Sequence, residues 1–240
     1  MAKPSFKRLL IKISGESLKG DSSVFMDKTA INRLLSHVQN AQAKGCQVAL
    51  VVGGGNIWRG KENTLDFLER SDADKVGILA TLMNALVLKG AFEIKGMQCV
   101  VFSGVSVPNL CENYLEHTAR AFLDKGYVVL FAAGTGSPFF TTDTAATLRA
   151  LEMKCDLLLK LTKVDGVYDK DPKKYKDAIR FDRVTFQQVL SKGYAVMDAT
   201  AVALAKEGDL PVMVGSFFEE EIVSEILEGR GTVTRMEKGE

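Results

Sequence analysis

Along the chain, short apolar runs of strand length alternate with stretches whose apolar residues recur every three or four positions. Residues 9–13 (Leu-Leu-Ile-Lys-Ile) read as a first strand. Asp27 stands ahead of Ile31, Leu34, Leu35 and Val38, a capped helical pattern that ends near Gly45. Residues 47–52 form an almost unbroken apolar strand, as expected of a strand covered on both faces. Helical spacing returns over 76–88. A strand follows at 98–102, then a helix over 113–124 that stops at Gly126, a strand at 127–133, a helix over 143–152 and a strand at 156–161. After about residue 165 the pattern loosens: 186–190 and 199–206 look helical, 211–214 is a strand, 219–227 a helix and 232–234 a short last strand.

Such alternation predicts an α/β fold, an open and mainly parallel sheet sandwiched between helices in three αβα layers. No low-complexity linker and no internal repeat interrupts it, so we expect one domain over 1–240 with lobes of roughly 1–155 and 156–240. A chain of 240 residues buries roughly 70–75% of its unfolded surface and needs no disulfide or metal to hold it.

Composition narrows the function. The formal net charge is +1, which leaves neither the basic footprint of a nucleic-acid binder nor a polybasic membrane surface. An anionic ligand must therefore be held by local charge and backbone donors. Cys46, Cys99, Cys111 and Cys155 show no CxxC spacing, and His37 and His117 are the only histidines, so a zinc site is disfavoured. Lys12 interrupts the apolar run Leu9-Leu10-Ile11, and the runs at 48–52 and 128–133 fall far short of the ~20 residues of a membrane helix. The expectation is a soluble, cytoplasmic protein with reduced thiols.

In open α/β sheets, ligands bind beyond the carboxyl ends of the strands. Gly53-Gly54-Gly55 follows the 47–52 strand, and three glycines let backbone N–H groups approach an anion, although a plain tight turn explains a lone triplet equally well. Gly55, Gly60 and Lys61 match the start of a P-loop, but Glu62 stands where a Mg²⁺-binding hydroxyl belongs. The run from Gly134 to Asp143 offers two glycines, four hydroxyls, the aromatic pair Phe139-Phe140 and, in Asp143, a residue placed to cap the next helix. Lys12 breaks an apolar strand, which points its ammonium into the site or, on an edge strand, to solvent. Asp198 is a plausible anchor for it and equally an ordinary N-cap. Tyr168 and Asp171 lie in a long polar loop after the 156–161 strand, where Tyr168 can stack on a base and Asp171 can receive a hydroxyl or support Mg²⁺.

Taken together, these stretches resemble the amino acid kinase family. The matching segments are Lys12 to Glu16, Gly53 to Gly60, Ala73-Asp74 with Gly77 to Thr81, Gly134 to Ala146, Lys160 to Val167 and Val196 to Asp198, in family order over nearly the whole chain. The Gly-Ser-Pro-Phe-Phe-Thr-Thr-Asp run separates the UMP-phosphorylating branch from kinases of acetylglutamate, aspartate or carbamate. The resemblance implies the reaction ATP + UMP → ADP + UDP with Mg²⁺, a homohexamer, a place in pyrimidine nucleotide synthesis and inhibition by UTP.

It also assigns residues. Lys12, Ile13, Ser14, Gly15, Gly55 and Arg59 go to the ATP phosphates, and Thr162, Tyr168 and Asp171 to the adenosine side. Gly54 and Thr135, Gly136, Ser137, Pro138, Phe139, Phe140, Thr141 and Thr142 go to UMP, with Asp74 on its ribose. On this view Lys12 and Arg59 neutralise the moving charge, and Asp143 and Asp198 orient Lys12. The family often carries a Gly-Phe-Gly stretch linked to activation by GTP; here residues 21–26 read Asp-Ser-Ser-Val-Phe-Met, which departs from that pattern.

Overall fold

The computed structural model describes residues 6–20, 24–59, 65 and 67–239. Residues 60–62 of the apparent P-loop match, and 21–23 of the stretch compared with Gly-Phe-Gly, lie outside them. In chain order the elements are β1 (Arg8–Ile13), α1 (Gly15–Lys19), α2 (Lys28–Ala43), β2 (Gln47–Val52), α3 (Arg70–Ile94), β3 (Cys99–Ser103), β4 (Glu112–Asn113), α4 (Glu116–Asp124), β5 (Val128–Ala132), α5 (Thr142–Glu152) and β6 (Leu157–Thr162). There follow β7 (Val167–Tyr168), β8 (Arg180–Phe181), β9 (Arg183–Thr185), α6 (Phe186–Lys192), α7 (Ala199–Glu207), β10 (Val212–Ser216), α8 (Ile222–Leu227) and β11 (Val233–Glu237).

Nine strands form one sheet in the order β4-β3-β5-β2-β1-β6-β10-β11-β9, and β7 pairs with β8 in a separate ribbon. Every neighbouring pair in the large sheet is parallel except β10 with β11. The predicted α/β class is therefore borne out, as is the helix capped by Asp27, whose carboxylate accepts from Ala30 N at 3.0 Å. The short elements α1, β4, β7, β8 and β9 were not expected: two to five residues are too few to show a period.

Strand alternation sorts the core into two layers. Leu9, Ile11 and Ile13 of β1 and Leu157, Leu159 and Leu161 of β6 pack with α2, α3 and α8 on one face. Leu10 and Leu158 pack on the other with Ala146 and Ala150 of α5 and Val202 and Ala205 of α7. The same period of two sends Lys12 and Lys160 to the α5 face, and the parallel register sets them side by side. The chain leaves β1 toward β2 and returns on its other flank at β6, so a switch of direction opens a crevice at the carboxyl end of β1.

α3 is longer than the 76–88 pattern suggested. By length and composition it equals a membrane span, which the search for unbroken apolar runs did not register. Its inner face, including Leu82, Ala85, Leu88 and Phe92, packs on the sheet as a core helix does.

Candidate active site

At the crevice, a carboxylate sits between two buried ammonium groups. Lys12 Nζ meets Asp143 Oδ1 at 2.7 Å, and Lys160 Nζ meets Asp143 Oδ2 at 2.7 Å. Lys12 is 6% exposed. Asp143 rides in the first turn of α5, but the N-cap expected of it is Thr141, whose hydroxyl accepts from the amides of Asp143 and Thr144 at 3.0 and 3.3 Å. The carboxylate is thereby released to face the sheet. Burial alone would raise its pKa; the two ammonium groups outweigh that and hold it at about 2. Burial, with Lys12 alongside, pushes the Lys160 ammonium below the ordinary lysine range. The triad carries two positive charges against one negative, a net excess suited to an anion.

Asp198 does not anchor Lys12. Its Oδ2 accepts from Thr141 Oγ1, and its Oδ1 from Thr144 Oγ1 at 2.8 Å and Ala201 N at 3.0 Å, where it caps α7. Its segment instead serves Lys160, whose Nζ also donates to Val196 O. Sequence reasoning assigned no role to Lys160, yet the signal was present: it interrupts Leu-Leu-Leu-Lys-Leu-Thr just as Lys12 interrupts β1.

Two cavities adjoin this triad, one lined by Thr141 and Thr142 just ahead of Asp143 and the other by Lys160 itself. One, of about 420 Å³, is lined by Gly54, Gly55, Arg59, Asp74, Thr135, Ser137, Phe139, Phe140, Thr141 and Thr142 among others. It therefore gathers most of the residues assigned to the acceptor. It also contains Gly55 and Arg59, which were assigned to ATP, so they face the same cleft as the acceptor residues. Gly136 and Pro138 stand outside its lining. At Gly136 (φ +82°) a Cβ would lie 2.4 Å from Gly104 O, so its place is a backbone-to-backbone contact with the β3 end. Arg70 was not singled out in the sequence; at the start of a helix an arginine reads as a solvated surface residue. It lines the cleft with its guanidinium 5.3 Å from the Phe139 ring.

The loop from Ala133 is under strain. Ala133 and Phe139 have φ of +60° and +71°, and each is held by one hydrogen bond: Ala133 N donates to Thr81 Oγ1 at 2.9 Å, and Phe139 N to Asp74 Oδ2 at 2.9 Å. Asp74 thus shapes the loop with one oxygen. Arg59 pairs with Glu16 at 2.7 Å. Gly54 abuts α3, where a Cβ would come within 2.9 Å of Ala80 Cβ. Gly15 meets the glycine triplet, where a Cβ would lie 2.7 Å from Gly53 O and 2.8 Å from Gly55 N. The two loops interlock, and only glycine permits it. Buried Asn84 of α3 secures the turn, donating to Gly53 O and Asn56 Oδ1 at 2.7 Å each. Ser14 spends its hydroxyl capping α1, accepting from Ser17 N at 3.1 Å.

The second cavity, of about 530 Å³, is lined by Lys160, Thr162, Tyr168, Asp171, Tyr194 and Val196 among others. It brings together the three residues assigned to adenosine. Tyr168 OH donates to Asp165 Oδ1 at 2.6 Å, and Asp171 Oδ1 accepts from Lys173 N at 2.9 Å.

The chain belongs to the amino acid kinase family, whose model matches residues 7–216. A relative named uridylate kinase, from Xanthomonas euvesicatoria pv. vesicatoria, is 48% identical over 229 residues, 95% of each chain. Among solved structures, a UMP kinase from Ureaplasma parvum superposes with a TM-score of 0.91 at 35% identity, covering 99% of this chain and all of that one. A UMP kinase from Bacillus anthracis gives 0.93 at 32% identity, covering 98% and 97%.

Proposed function

We propose that this chain is a UMP kinase, moving the γ-phosphoryl group of ATP to UMP to give ADP and UDP. The observation that carries the reading is the buried Lys12–Asp143–Lys160 triad next to two cavities of nucleotide size. UMP enters the cleft of Gly54, Asp74 and Thr141; ATP enters the cavity of Thr162, Tyr168 and Asp171. The first cavity's lining runs from Glu16 to Thr142 and the second's from Lys160 to Val214, which supports an acceptor lobe of roughly 1–155 and a donor lobe of roughly 156–240.

An ionised oxygen of UMP attacks the γ-phosphorus as its bond to the ADP oxygen breaks. The transition state spreads charge over the moving group, so catalysis is positioning and charge stabilisation. Lys12 and Lys160 supply the charge, Asp143 fixes them, and Arg59 with the triplet's backbone steadies the acceptor phosphate. The nucleophile is already ionised near neutral pH, so no general base is needed.

Mg²⁺ is read as part of the substrate complex. Among the described residues no three His, Cys, Asp or Glu side chains converge, which suits an ion held chiefly by phosphates and water. The pathway is pyrimidine nucleotide synthesis, in the cytoplasm, with UTP competing for the UMP cleft and GTP as a candidate activator. An ADP-release assay with UMP, CMP and acetylglutamate, Mg²⁺ present or chelated and GTP or UTP added, tests the acceptor, the metal and the effectors. Turnover with UMP and Mg²⁺ is the expected result, and none with UMP sinks the reading.

We also infer a homohexamer whose dimers meet through α3. Val76, Leu79, Met83, Val87 and Ile94 recur on one helix face, with Leu79 and Met83 each 51% exposed. Replacing Leu79 and Met83 together by Glu is expected to lower the sedimenting mass, whereas an unchanged mass removes α3 from the interface.

A further inference from the structure

Thr144 lies outside the lining of both cavities. It is the third residue of α5, 4% exposed. Its hydroxyl donates to Asp198 Oδ1 at 2.8 Å. Asp198 Oδ2 receives the Thr141 hydroxyl, and the same carboxylate caps α7. Two residues upstream, Val196 O accepts from Lys160, and Val196 N closes a tight turn onto Tyr194 O at 2.8 Å. Lys192 to Val196 line the donor cavity. Hydrogen bonds from Thr141 and Thr144 thus end on Asp198, and two residues of backbone join Asp198 to the Val196 carbonyl that accepts from the Lys160 ammonium beside the donor cavity.

The two threonines differ in exposure. Thr141 lines the acceptor cleft, so an acceptor phosphate competes for its hydroxyl. Thr144 is out of that reach. Resting on the reading above, we propose that Thr144 is a positioning residue that holds Asp198 while the acceptor engages Thr141, and so keeps Val196 O in place against Lys160.

Lys160 is faced by Lys12 from β1, Asp143 from α5 and Asp198 from the head of α7, with burial already lowering its pKa. The Val196 carbonyl stabilises its charged form. Losing that partner lowers the pKa further, so the alkaline limb of kcat moves to lower pH.

The test compares the purified enzyme with Thr144→Val and Thr144→Ser. For Thr144→Val the expected result is a kcat about 10- to 100-fold lower, the scale of a small misplacement near a reacting group. KM for UMP and ATP should stay within about threefold, with the alkaline limb displaced to lower pH. Thr144→Ser, which keeps the hydroxyl, restores kcat to within about threefold. Should the valine protein fail to fold, Thr144→Ala removes the hydroxyl without a methyl beside the carboxylate and is read the same way. A kcat within twofold of the unaltered enzyme, a loss with an unmoved alkaline limb, or a serine variant as slow as valine overturns the proposal. Absence of UMP phosphorylation by the unaltered enzyme would instead overturn the functional reading.

Discussion

Replacing Asp143 by Asn is expected to lower kcat by about 10²- to 10³-fold and to weaken the fold. The side chain keeps its shape, but its charge goes, and one oxygen becomes an NH₂ facing an ammonium. Lys12 and Lys160 are then two buried cations in register on neighbouring strands. An uncompensated buried charge costs about 3–5 kcal/mol unless a group changes protonation, and a lysine that sheds its proton no longer stabilises the moving phosphoryl group. The pH dependence carries a separate signature. The Asp143 carboxyl is held at about 2, below its ordinary 3.8. A depressed carboxylate adds stability that is fully present above the unfolded value and is lost as pH falls through the folded one. Nearly two units correspond to about 2 kcal/mol. Urea unfolding of the unaltered enzyme should therefore weaken between about pH 4 and 2, and the Asn variant should lack that part of the slope. A variant with kcat near that of the unaltered enzyme, or with the same acid slope, would remove Asp143 from the centre of the site.

Much of this arrangement was legible before any coordinates. The order of strands and helices follows from hydrophobic period, and strand ends located the loops. Lys12 was found because a lysine inside an apolar strand demands a partner, and its partner Asp143 was named. Lys160 satisfies the same test and was passed over, because what gives it meaning is the register of β1 against β6, a contact between residues 148 positions apart. Asp198 was read two ways, as Lys12's anchor and equally as an ordinary N-cap. The cap is what the structure shows, and two threonine hydroxyls at the start of α5 also take its oxygens, which only their packing reveals. Gly54 and Gly55, assigned to different substrates, stand on the wall of one cleft. Gly54 is pinned against α3 and Gly55 follows at once. Local sequence names the residues of a loop but not the side from which a neighbouring helix closes it.

Replacing Lys12 by Met separates catalysis from folding, and the two are expected to move in opposite directions. A lost stabilising donor at a developing charge costs about 3–4 kcal/mol, or roughly 10²- to 10³-fold in kcat. KM for UMP should change little, because Lys12 is not among the residues lining the acceptor cleft. Folding gains, because removing Lys12 leaves Asp143 and Lys160 as a balanced pair, and methionine fills much of the same volume in a position that is 6% exposed. Lys12 also depresses the Lys160 pKa, so the remaining lysine holds its proton to higher pH in the variant. Steady-state kinetics and a thermal melt on one preparation should show a low kcat, an unchanged KM and a melting temperature equal to or above that of the unaltered enzyme. A retained kcat would place the transferred group elsewhere. A lost kcat with a collapsed melting temperature would make Lys12 part of the scaffold. The expected combination of slower and no less stable identifies the surplus positive charge as a cost the fold carries for its chemistry, since only a bound phosphoryl group neutralises it.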